Sequence, residues 1–374
     1  MGDPDWCILS EWITEIVQDL IVHPQQREDF TTLVRSLSHR YFRETRTTTP
    51  KHEYQLGVLA CLHLVSCYVV SEPVPLAVLE TICCHCYTRE TIVRAVYTVM
   101  GWVSPPLWPD GLENVDYDRT FYTDHGTTCA MVRWGGRQLV RKRIGHDDRD
   151  LPAFHAVVEV MVHSRLAEKK SRNIARLLQV QVQDSCVDLY YEYIEDPLRL
   201  YRRRSRRQQQ QVVIGLVRGL HCLHSLGIAH RDLKPDNLHV TADGYGVILD
   251  VGSAGLGKAR HTNPICTITH RSPEMLQAEV DGVAMEYDGK CLDIWSLGVV
   301  ILQLYGAWHP FGVASTTTTA AQMLQGIRSL VEVVLDAVVP LLSNEQGRLL
   351  RQCLREQPFE RPGSLEMLRV FGSL

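Results

Sequence analysis

The sequence predicts an α+β fold in which a small all-α domain precedes a mixed region of strands and helices. Three patterns indicate this arrangement. Apolar residues recur at helical spacing throughout residues 5–102. Two β-like segments, 127–134 and 138–144, then follow and are joined by Gly135-Gly136, which is typical of a tight hairpin. An amphipathic helical pattern returns at residues 211–226.

Composition sets limits on the class of protein. The chain has 374 residues, enough for roughly two to three domains, with 45% hydrophobic and 22% charged residues, which is ordinary for a soluble globular protein. A net charge of −4 gives no general attraction to nucleic acid or membranes, so we expect neither as a specific partner. The 12 cysteines are scattered and the N-terminus is not signal-like, which predicts reduced thiols and an intracellular location, cytoplasmic or nuclear.

Residues 1–103 form the predicted all-α domain. The run 56–70 is apolar nearly all round, which predicts a central buried helix; it is too short to predict a membrane span. Further helices are predicted around residues 12–20 and 30–41 and over Leu76–Cys86 and Thr91–Val103. The cluster at residues 83–86 (Cys-Cys-His-Cys) raises the alternative of a zinc site. Adjacent cysteines cannot easily all face one ion, so buried core cysteines are favoured.

Short segments of this domain occur in the order found in the cyclin box, a helical domain that activates protein kinases. They are residues 8–16 (ILSEWITEI), 40–42 (RYF), 54–66 (YQLGVLACLHLVS) and 86–92 (CYTRETI). The domain therefore resembles a divergent single cyclin box. The resemblance implies an intramolecular activator of a kinase on the same chain. A helical domain that only supports its neighbour is the alternative.

The cyclin-like segment departs from its family at the positions that contact a kinase. Trp6 stands where the family has an arginine, Cys67 where it has a lysine and Val96 where it has a glutamate. A polar contact set has thus become apolar. We therefore expect contacts with the kinase to be apolar if the domain acts as a cyclin box.

A linker is predicted at residues 104–118, where prolines break the helical pattern, and a small β-rich lobe with its hinge at 119–194. Val140 and Lys142 share one face of the second strand because strand side chains alternate. This strand resembles the Val-Ala-Ile-Lys strand of protein kinases. The resemblance implies that Lys142 holds the α- and β-phosphates of ATP. The alternative is a solvated basic edge, since Arg141 and Arg143 flank Lys142.

The same resemblance assigns the other ATP-binding positions. Glu159, on the predicted helix 152–166, would pair with Lys142. The segment 124–132 replaces the glycine-rich loop and retains only Gly126, so close approach to phosphate is compromised. The remaining implied contacts to the nucleotide are Val132, Val140, Glu192 and Ile194, of which the last two are hinge residues, and Tyr191 is the bulky residue just before them.

Residues 230–237 read His-Arg-Asp-Leu-Lys-Pro-Asp-Asn and place three chemical groups at fixed offsets. Phosphoryl transfer needs such a set. Asp232 can orient a hydroxyl and accept its proton, Lys234 can neutralise charge on the γ-phosphate, and the Asn237 oxygen can hold Mg²⁺. A plain polar turn is the alternative for such a loop, but it does not require eight residues in this order.

Further kinase-like motifs follow in order. Asp250-Val251-Gly252 stands where protein kinases have Asp-Phe-Gly, which implies that Asp250 binds Mg²⁺. Thr267 matches a threonine that bonds the catalytic aspartate and lysine. Asp293 matches the aspartate that anchors the catalytic loop, and Glu274 and Arg361 match a buried structural ion pair. We assign these last three to structure rather than chemistry.

Together these motifs make residues 116–374 similar to eukaryotic Ser/Thr protein kinases. The motif sequences resemble those of the cyclin-dependent group most. The resemblance implies a bilobal fold, with a large helical lobe at 195–374, that uses ATP and Mg²⁺ to phosphorylate protein substrates. The alternative is a pseudokinase scaffold that captures partners through the helical domain. It is favoured by the eroded glycine loop and by Val251. It is opposed by the retention of Lys142, Asp232, Asn237 and Asp250. Arg231 suggests control of the activation segment by an anion, with Thr262 as the candidate phosphorylation site.

Overall fold

The computed structural model of this protein describes most of the chain. The described residues are 4–20, 24–45, 54–69, 74–83, 86–103, 116–124, 126–145, 154–167, 169–183, 186–194, 196–198, 205–256, 260–261, 266–283, 287–306, 311 and 318–372. The chain forms two compact units. The first comprises Met1–Ala167 and Arg176–Tyr193, and the second comprises Glu168–Ala175 and Ile194–Leu374.

The first unit opens with a set of helices. They are α1 (Pro4–Leu20), α2 (Pro24–Thr45), α3 (Tyr54–Val69), α4 (Leu76–Ile82) and α5 (Arg89–Val103). As expected from its apolar sequence, α3 is central, since it packs against α1, α2 and α5 and is buried from Val58 to Ser66. The helix predicted to reach Cys86 ends at Ile82, and the chain then turns, with the Cys86 N–H bonded to the Cys83 carbonyl at 3.0 Å. In the parts of the chain that are described, no helix is long and apolar enough to cross a membrane.

A five-stranded antiparallel sheet follows in the first unit. Its strands are β1 (Asp116–Asp124), β2 (Thr127–Trp134), β3 (Arg137–Gly145), β4 (Leu177–Val182) and β5 (Cys186–Glu192), in the order β1-β2-β3-β5-β4. The predicted hairpin between β2 and β3 is present. Gly135 and Gly136 have φ angles of 55° and 76°, left-handed values that glycine adopts without strain.

Strand β1 was not predicted to start where it does. It begins at Asp116, inside the predicted linker 104–118. Its sequence is mostly polar, and Phe121 and Tyr122 are exposed, so it carries little hydrophobic alternation. Pairing with β2 rather than burial of its own side chains makes this segment an edge strand.

Helix α6 (Phe154–Leu166) lies within the first unit and is unusually buried. Every residue from Ala156 to His163 is buried. Helices α3 and α5 of the N-terminal segment pack against it. A helix with so little exposed surface needs apolar neighbours on several sides, and the N-terminal helices provide one of these sides.

The second unit is mainly helical. Its helices are α7 (Arg206–Ser225), α8 (Pro273–Asp281), α9 (Gly289–Leu304), α10 (Ala320–Val338), α11 (Asn344–Cys353) and α12 (Ser364–Phe371). Its short strands are β6 (Asp196–Pro197), β7 (Ile228–Ala229), β8 (Leu238–Val240), β9 (Gly246–Ile248), β10 (Gly255–Leu256), β11 (Arg260–His261) and β12 (Tyr287–Asp288). Strand β8 pairs with both β6 and β9, β7 with β10, and β11 with β12.

Local sequence explains where two of these helices begin. Ser205 caps α7 in a reciprocal capping box with Gln208, which satisfies N–H groups that the first helical turn leaves unpaired. Asp288 caps α9 by accepting a hydrogen bond from the Lys290 N–H at 2.8 Å. Helix α9 is buried along nearly its whole length, so it forms the core of this unit.

Candidate active site

Lys142 on β3 and Glu159 on α6 form the ion pair that the sequence predicts. The Lys142 ammonium donates to Oε1 of Glu159. The Glu159 side chain is only 1% exposed and that of Lys142 12%. A carboxylate this deeply buried keeps its charge only when its oxygens have partners. The other oxygen, Oε2, accepts a hydrogen bond from the hydroxyl of Tyr191 on β5.

The pairing register of β2 and β3 corrects one predicted nucleotide contact. Met131 lies opposite Val140, and Val132 lies opposite Leu139, one residue further along. Val132 belongs to a buried cluster with Leu139, Leu178 and Tyr190. Because strand side chains alternate, Val140 shares the face of Lys142, whereas Val132 lies on the opposite face. Met131 therefore replaces Val132 in the set that faces the same side as Lys142.

Gly126 occupies the turn between β1 and β2. Its φ of 78° is left-handed, and nothing lies within 4 Å of where a Cβ would be placed. Its carbonyl accepts a hydrogen bond from the Gly145 N–H at 2.9 Å. The turn geometry by itself thus explains this glycine. Its predicted contact with phosphate stays a prediction.

The two predicted hinge residues each carry a hydrogen bond. The Glu192 N–H donates to the Arg176 carbonyl at 3.2 Å, and its carboxylate accepts from the Arg176 N–H at 3.0 Å. In the second unit, Nδ1 of His239 donates to the Ile194 carbonyl at 2.6 Å. The predicted contact of these two residues with adenine stays a prediction.

Within the 230–237 loop, Asp232 is surrounded by donors. Its Oδ1 accepts from the Thr267 hydroxyl at 2.7 Å and from the Thr267 N–H at 3.0 Å. Its Oδ2 lies 3.0 Å from the Lys234 ammonium and 3.2 Å from the amide nitrogen of Asn237. Lys234 also donates to the Thr267 hydroxyl oxygen at 2.8 Å. The second unit therefore brings together the three predicted catalytic residues and Thr267.

These contacts shift the pKa values of both charged groups. Burial by itself raises the pKa of Asp232, but the charge of Lys234 and the hydrogen bonds from Thr267 outweigh it, so the pKa lies below its usual value. Burial by itself lowers the pKa of Lys234, but the charges of Asp232, Asp236 and Asp250 outweigh it and raise the pKa. At neutral pH Asp232 is an anion that can accept a proton, and Lys234 is a cation.

The predicted Mg²⁺ ligands suit that ion in type and number. The amide nitrogen of Asn237 donates to the Asp232 carbonyl at 2.8 Å, which fixes the orientation of the amide oxygen. The Leu249 N–H bonds to the Asn237 carbonyl at 2.9 Å, which ties Asn237 to the residue before the exposed Asp250. Mg²⁺ usually takes one or two oxygen ligands from a protein, and water and phosphate oxygens complete its coordination shell. Among the residues described here no group of three or more His, Cys, Asp or Glu could hold a metal ion.

Asp293 on α9 anchors the 230–237 loop through hydrogen bonds to its backbone. Its carboxylate accepts from the N–H groups of His230 and Arg231, each at 2.7 Å. It also accepts from Nε2 of His224 at 2.9 Å. Arg231 has a φ of 68°, which is costly for a residue with a side chain, and the Asp293 contacts hold it there.

The Arg231 side chain is fully buried and bonds protein groups. Its Nε donates to the Ser253 carbonyl at 2.7 Å and its Nη2 to the Ala254 carbonyl at 3.0 Å. The loop is thereby tied to the segment that follows Asp250. Thr262 lies outside the described residues, so control by phosphorylation there stays a prediction.

The predicted structural ion pair is present and densely bonded. Arg361 donates to both oxygens of Glu274, at 2.8 and 2.6 Å. It also donates to the carbonyls of Arg355, Cys291 and Glu356. Its guanidinium lies 5.2 Å from the ring centre of Trp295. Such a set of contacts serves stability, because breaking a buried pair costs about 3–5 kcal/mol.

Comparison with known proteins places this site in a family. Residues 125–370 match the sequence profile described as "Protein kinase domain". The chain belongs to the protein kinase family. The small β-sheet lobe with α6 and the mainly helical second unit fit the bilobal kinase fold, and a helical region precedes them.

Relatives of this kinase are distant. It is 28% identical over 214 residues to "Serine/threonine-protein kinase BCK1/SLK1/SSP31" of Saccharomyces cerevisiae, covering 55% of this chain and 14% of that one. It is 30% identical over 157 residues to "Probable serine/threonine-protein kinase KIN28 homolog" of Encephalitozoon cuniculi, covering 40% and 49%. It is 28% identical over 303 residues to "Cell division control protein 2 homolog 3" of Trypanosoma brucei brucei, covering 71% and 94%. In the first two, the match spans half of the relative or less.

Several contacts in this kinase involve residues outside the recognised motifs and were not predicted. The hydroxyl of Tyr191 bonds Glu159, although the sequence suggested only a bulky residue before the hinge. His224 bonds Asp293, and His239 bonds the Ile194 carbonyl. The spacing of the chain gave no signal for these three, because each joins elements that are distant in sequence.

Proposed function

We propose that this kinase is an active, ATP-dependent Ser/Thr protein kinase that transfers the γ-phosphate of ATP to protein hydroxyls. The observation that carries the proposal is the arrangement around Asp232. An ionised carboxylate with Lys234, Asn237 and Thr267 as its donors provides a base, a cation and a metal ligand within one loop. A scaffold needs none of these contacts for its fold. The names of the relatives support the Ser/Thr class.

In the first unit, the proposed role of Lys142 is to hold the α- and β-phosphates, with Glu159 fixing the direction of its ammonium. Met131 and Val140 would contact the nucleotide base, and Glu192 would bind its edge through the backbone, as would Ile194 of the second unit. Gly126 would lie near the phosphates.

In the second unit, Asn237 and Asp250 would hold Mg²⁺, which neutralises charge on the phosphates when bound. Asp232 orients the substrate hydroxyl and takes its proton as the new P–O bond forms. The bond between the γ-phosphorus and the bridging oxygen breaks, and ADP leaves with that electron pair. Lys234 stabilises the negative charge on the migrating phosphoryl group.

The test is transfer of labelled phosphate from ATP with Mg²⁺ to a generic protein substrate. We expect Asp232→Ala to lower the rate about a hundredfold or more, because the general base is lost. The matched control is Asp281→Ala, an exposed aspartate on α8 that lies outside the site. Equal labelling by the wild type and Asp232→Ala would contradict the enzyme and leave the scaffold alternative. Analysis of the labelled amino acid should give phosphoserine or phosphothreonine.

We further propose that the N-terminal helices act as a cyclin-like activator in cis. Support comes from the packing of α3 and α5 against α6, the helix that carries Glu159. Val96, at a position where the cyclin family has a polar residue, is fully buried. Apolar packing could thus hold α6 without the polar contacts of a separate cyclin.

Removal of residues 1–103 tests this second proposal. We expect activity to fall, because apolar residues of α6 lose their cover, and addition of residues 1–103 as a separate chain should restore part of it. Unchanged turnover of the truncated kinase would show that the helical domain has no part in the mechanism.

An intracellular location stays a prediction.

A further inference from the structure

The contacts of Tyr191 show how the Glu159 carboxylate is satisfied. Tyr191 is a buried residue of β5, next to its last residue Glu192, and its hydroxyl donates to Oε2 of Glu159. The Lys142 ammonium donates to Oε1 of the same carboxylate. The two donors thus use different oxygens and come from different strands.

The burial of Glu159 makes the second donor important. The side chain is 1% exposed and lies on a helix whose neighbouring residues Val158 and Val160 are buried and apolar. A buried carboxylate that loses one of its donors is destabilised, which favours its protonation or its movement toward water. Either change would weaken its hold on Lys142. Hydrogen bonds to an ionised acceptor are also the stronger kind.

A second contact joins Tyr191 to the same helix. His163 lies four residues after Glu159, one turn further along α6, and is itself buried. Its ring meets that of Tyr191 edge-on, with ring centres 5.5 Å apart and an interplanar angle of 62°. Tyr191 therefore contacts two successive turns of α6. Rotation or outward movement of α6 would have to break both contacts.

We propose that Tyr191 is a positioning residue, which keeps the Glu159 carboxylate ionised and directed at Lys142 through its hydroxyl. This role goes beyond steric bulk next to the nucleotide, since it depends on one oxygen atom. It rests on the proposed function only in that Lys142 is taken to bind ATP. The contacts of Tyr191 with Glu159 and His163 do not themselves depend on catalysis.

Tyr191→Phe removes the hydroxyl and keeps the ring, so that the apolar packing is preserved. Tyr190→Phe is the matched control, because Tyr190 is the adjacent residue of β5 and its hydroxyl bonds Gln181 at 2.9 Å, away from Glu159. We expect Tyr191→Phe to raise the dissociation constant for MgATP, measured by calorimetry, about tenfold. Tyr190→Phe should leave it unchanged.

Hydrogen exchange of the full-length protein provides a readout that is independent of ATP. Backbone amides of residues 154–166 should exchange faster in Tyr191→Phe than in the wild type, and at the wild-type rate in Tyr190→Phe. Equal exchange in Tyr191→Phe and Tyr190→Phe would overturn the proposal. If the wild type neither binds MgATP nor transfers phosphate, the proposed function fails, while the exchange comparison still decides the role of Tyr191.

A double-mutant cycle tests whether Tyr191 acts through Glu159. Glu159→Met has a similar length but no acceptor. In that background the hydroxyl of Tyr191 has lost its carboxylate, so Tyr191→Phe should not speed exchange of residues 154–166 any further. An equal effect of Tyr191→Phe in both backgrounds would show that the hydroxyl acts elsewhere, and the proposal would be wrong.

Discussion

Two carboxylates in this kinase, Glu159 and Asp232, differ in the donors that bond them and in their burial. Each is paired with a lysine and each accepts from a hydroxyl. Asp232 has four donor groups from three residues, one of them a backbone N–H. Glu159 accepts from the Lys142 ammonium and from the Tyr191 hydroxyl, and its side chain is far more deeply buried than that of Asp232.

This difference predicts how each carboxylate responds to the loss of one donor. Around Asp232 the loss of one donor leaves others on the same oxygen, so the ion persists in a weakened form. Around Glu159 the donors Lys142 and Tyr191 bond a carboxylate that is almost fully excluded from water, so the loss of either donor costs more. We therefore expect single substitutions near Glu159 to affect folding and ATP binding together. Those near Asp232 should affect the rate first.

The largest expected effect follows from Lys142→Met. It leaves Glu159 buried without its cation, which should lower the free energy of unfolding by about 3–5 kcal/mol. It should also abolish transfer of labelled phosphate. Thermal unfolding and the transfer assay measure the two effects on the same preparation.

A double variant separates these two effects. In Lys142→Met/Glu159→Met both charges are gone and the apolar volume is kept, so most of the lost stability should return while activity stays absent. A single variant as stable as the wild type would show that the Glu159 charge is not buried as the structure has it. Arg137→Met, at the exposed start of β3, is the control for loss of a cation on this strand.

A smaller effect is expected from Thr267→Val. It removes the hydroxyl that donates to Asp232 and accepts from Lys234, while the Thr267 N–H still bonds the carboxylate. We expect the turnover number to fall about tenfold. The pKa of Asp232 should rise, because one of the bonds that hold it down is lost, so the acid limb of the pH–rate profile should move to higher pH.

The sign of the stability change follows from the same shift. Because the folded-state pKa of Asp232 is depressed, its contribution to stability is present above the unfolded pKa and is lost as pH falls through the folded pKa. In Thr267→Val that contribution should be smaller, most visibly above the unfolded pKa. Thr269→Val is the control, since its hydroxyl bonds His270 instead. An unchanged acid limb in Thr267→Val would exclude this role of the hydroxyl.

The same comparison shows what the sequence could predict. Asp232, Lys234 and Asn237 lie within one short loop, so their spacing alone placed them together. The pair Lys142–Glu159 could be predicted only from resemblance. The contact of Tyr191 with Glu159 could not, because nothing in the spacing of β5 and α6 fixes which side chains meet. The sequence also put the start of the small lobe inside β1. This polar edge strand has little hydrophobic pattern, and its pairing with β2 is what makes it a strand.

The smallest expected effect tests the register of β2, where the sequence predicted Val132 as the nucleotide contact and the pairing with β3 places Met131 opposite Val140. Met131→Ala should raise the Michaelis constant for ATP about fivefold, because apolar contact with the base is lost on the Lys142 face. Val132→Ala should leave that constant unchanged and lower the free energy of unfolding by about 2 kcal/mol, because it opens a cavity beside Leu139. Steady-state kinetics and denaturant unfolding of both variants check this. The reverse pattern would mean that β2 is shifted by one residue relative to β3, with Val132 facing the nucleotide.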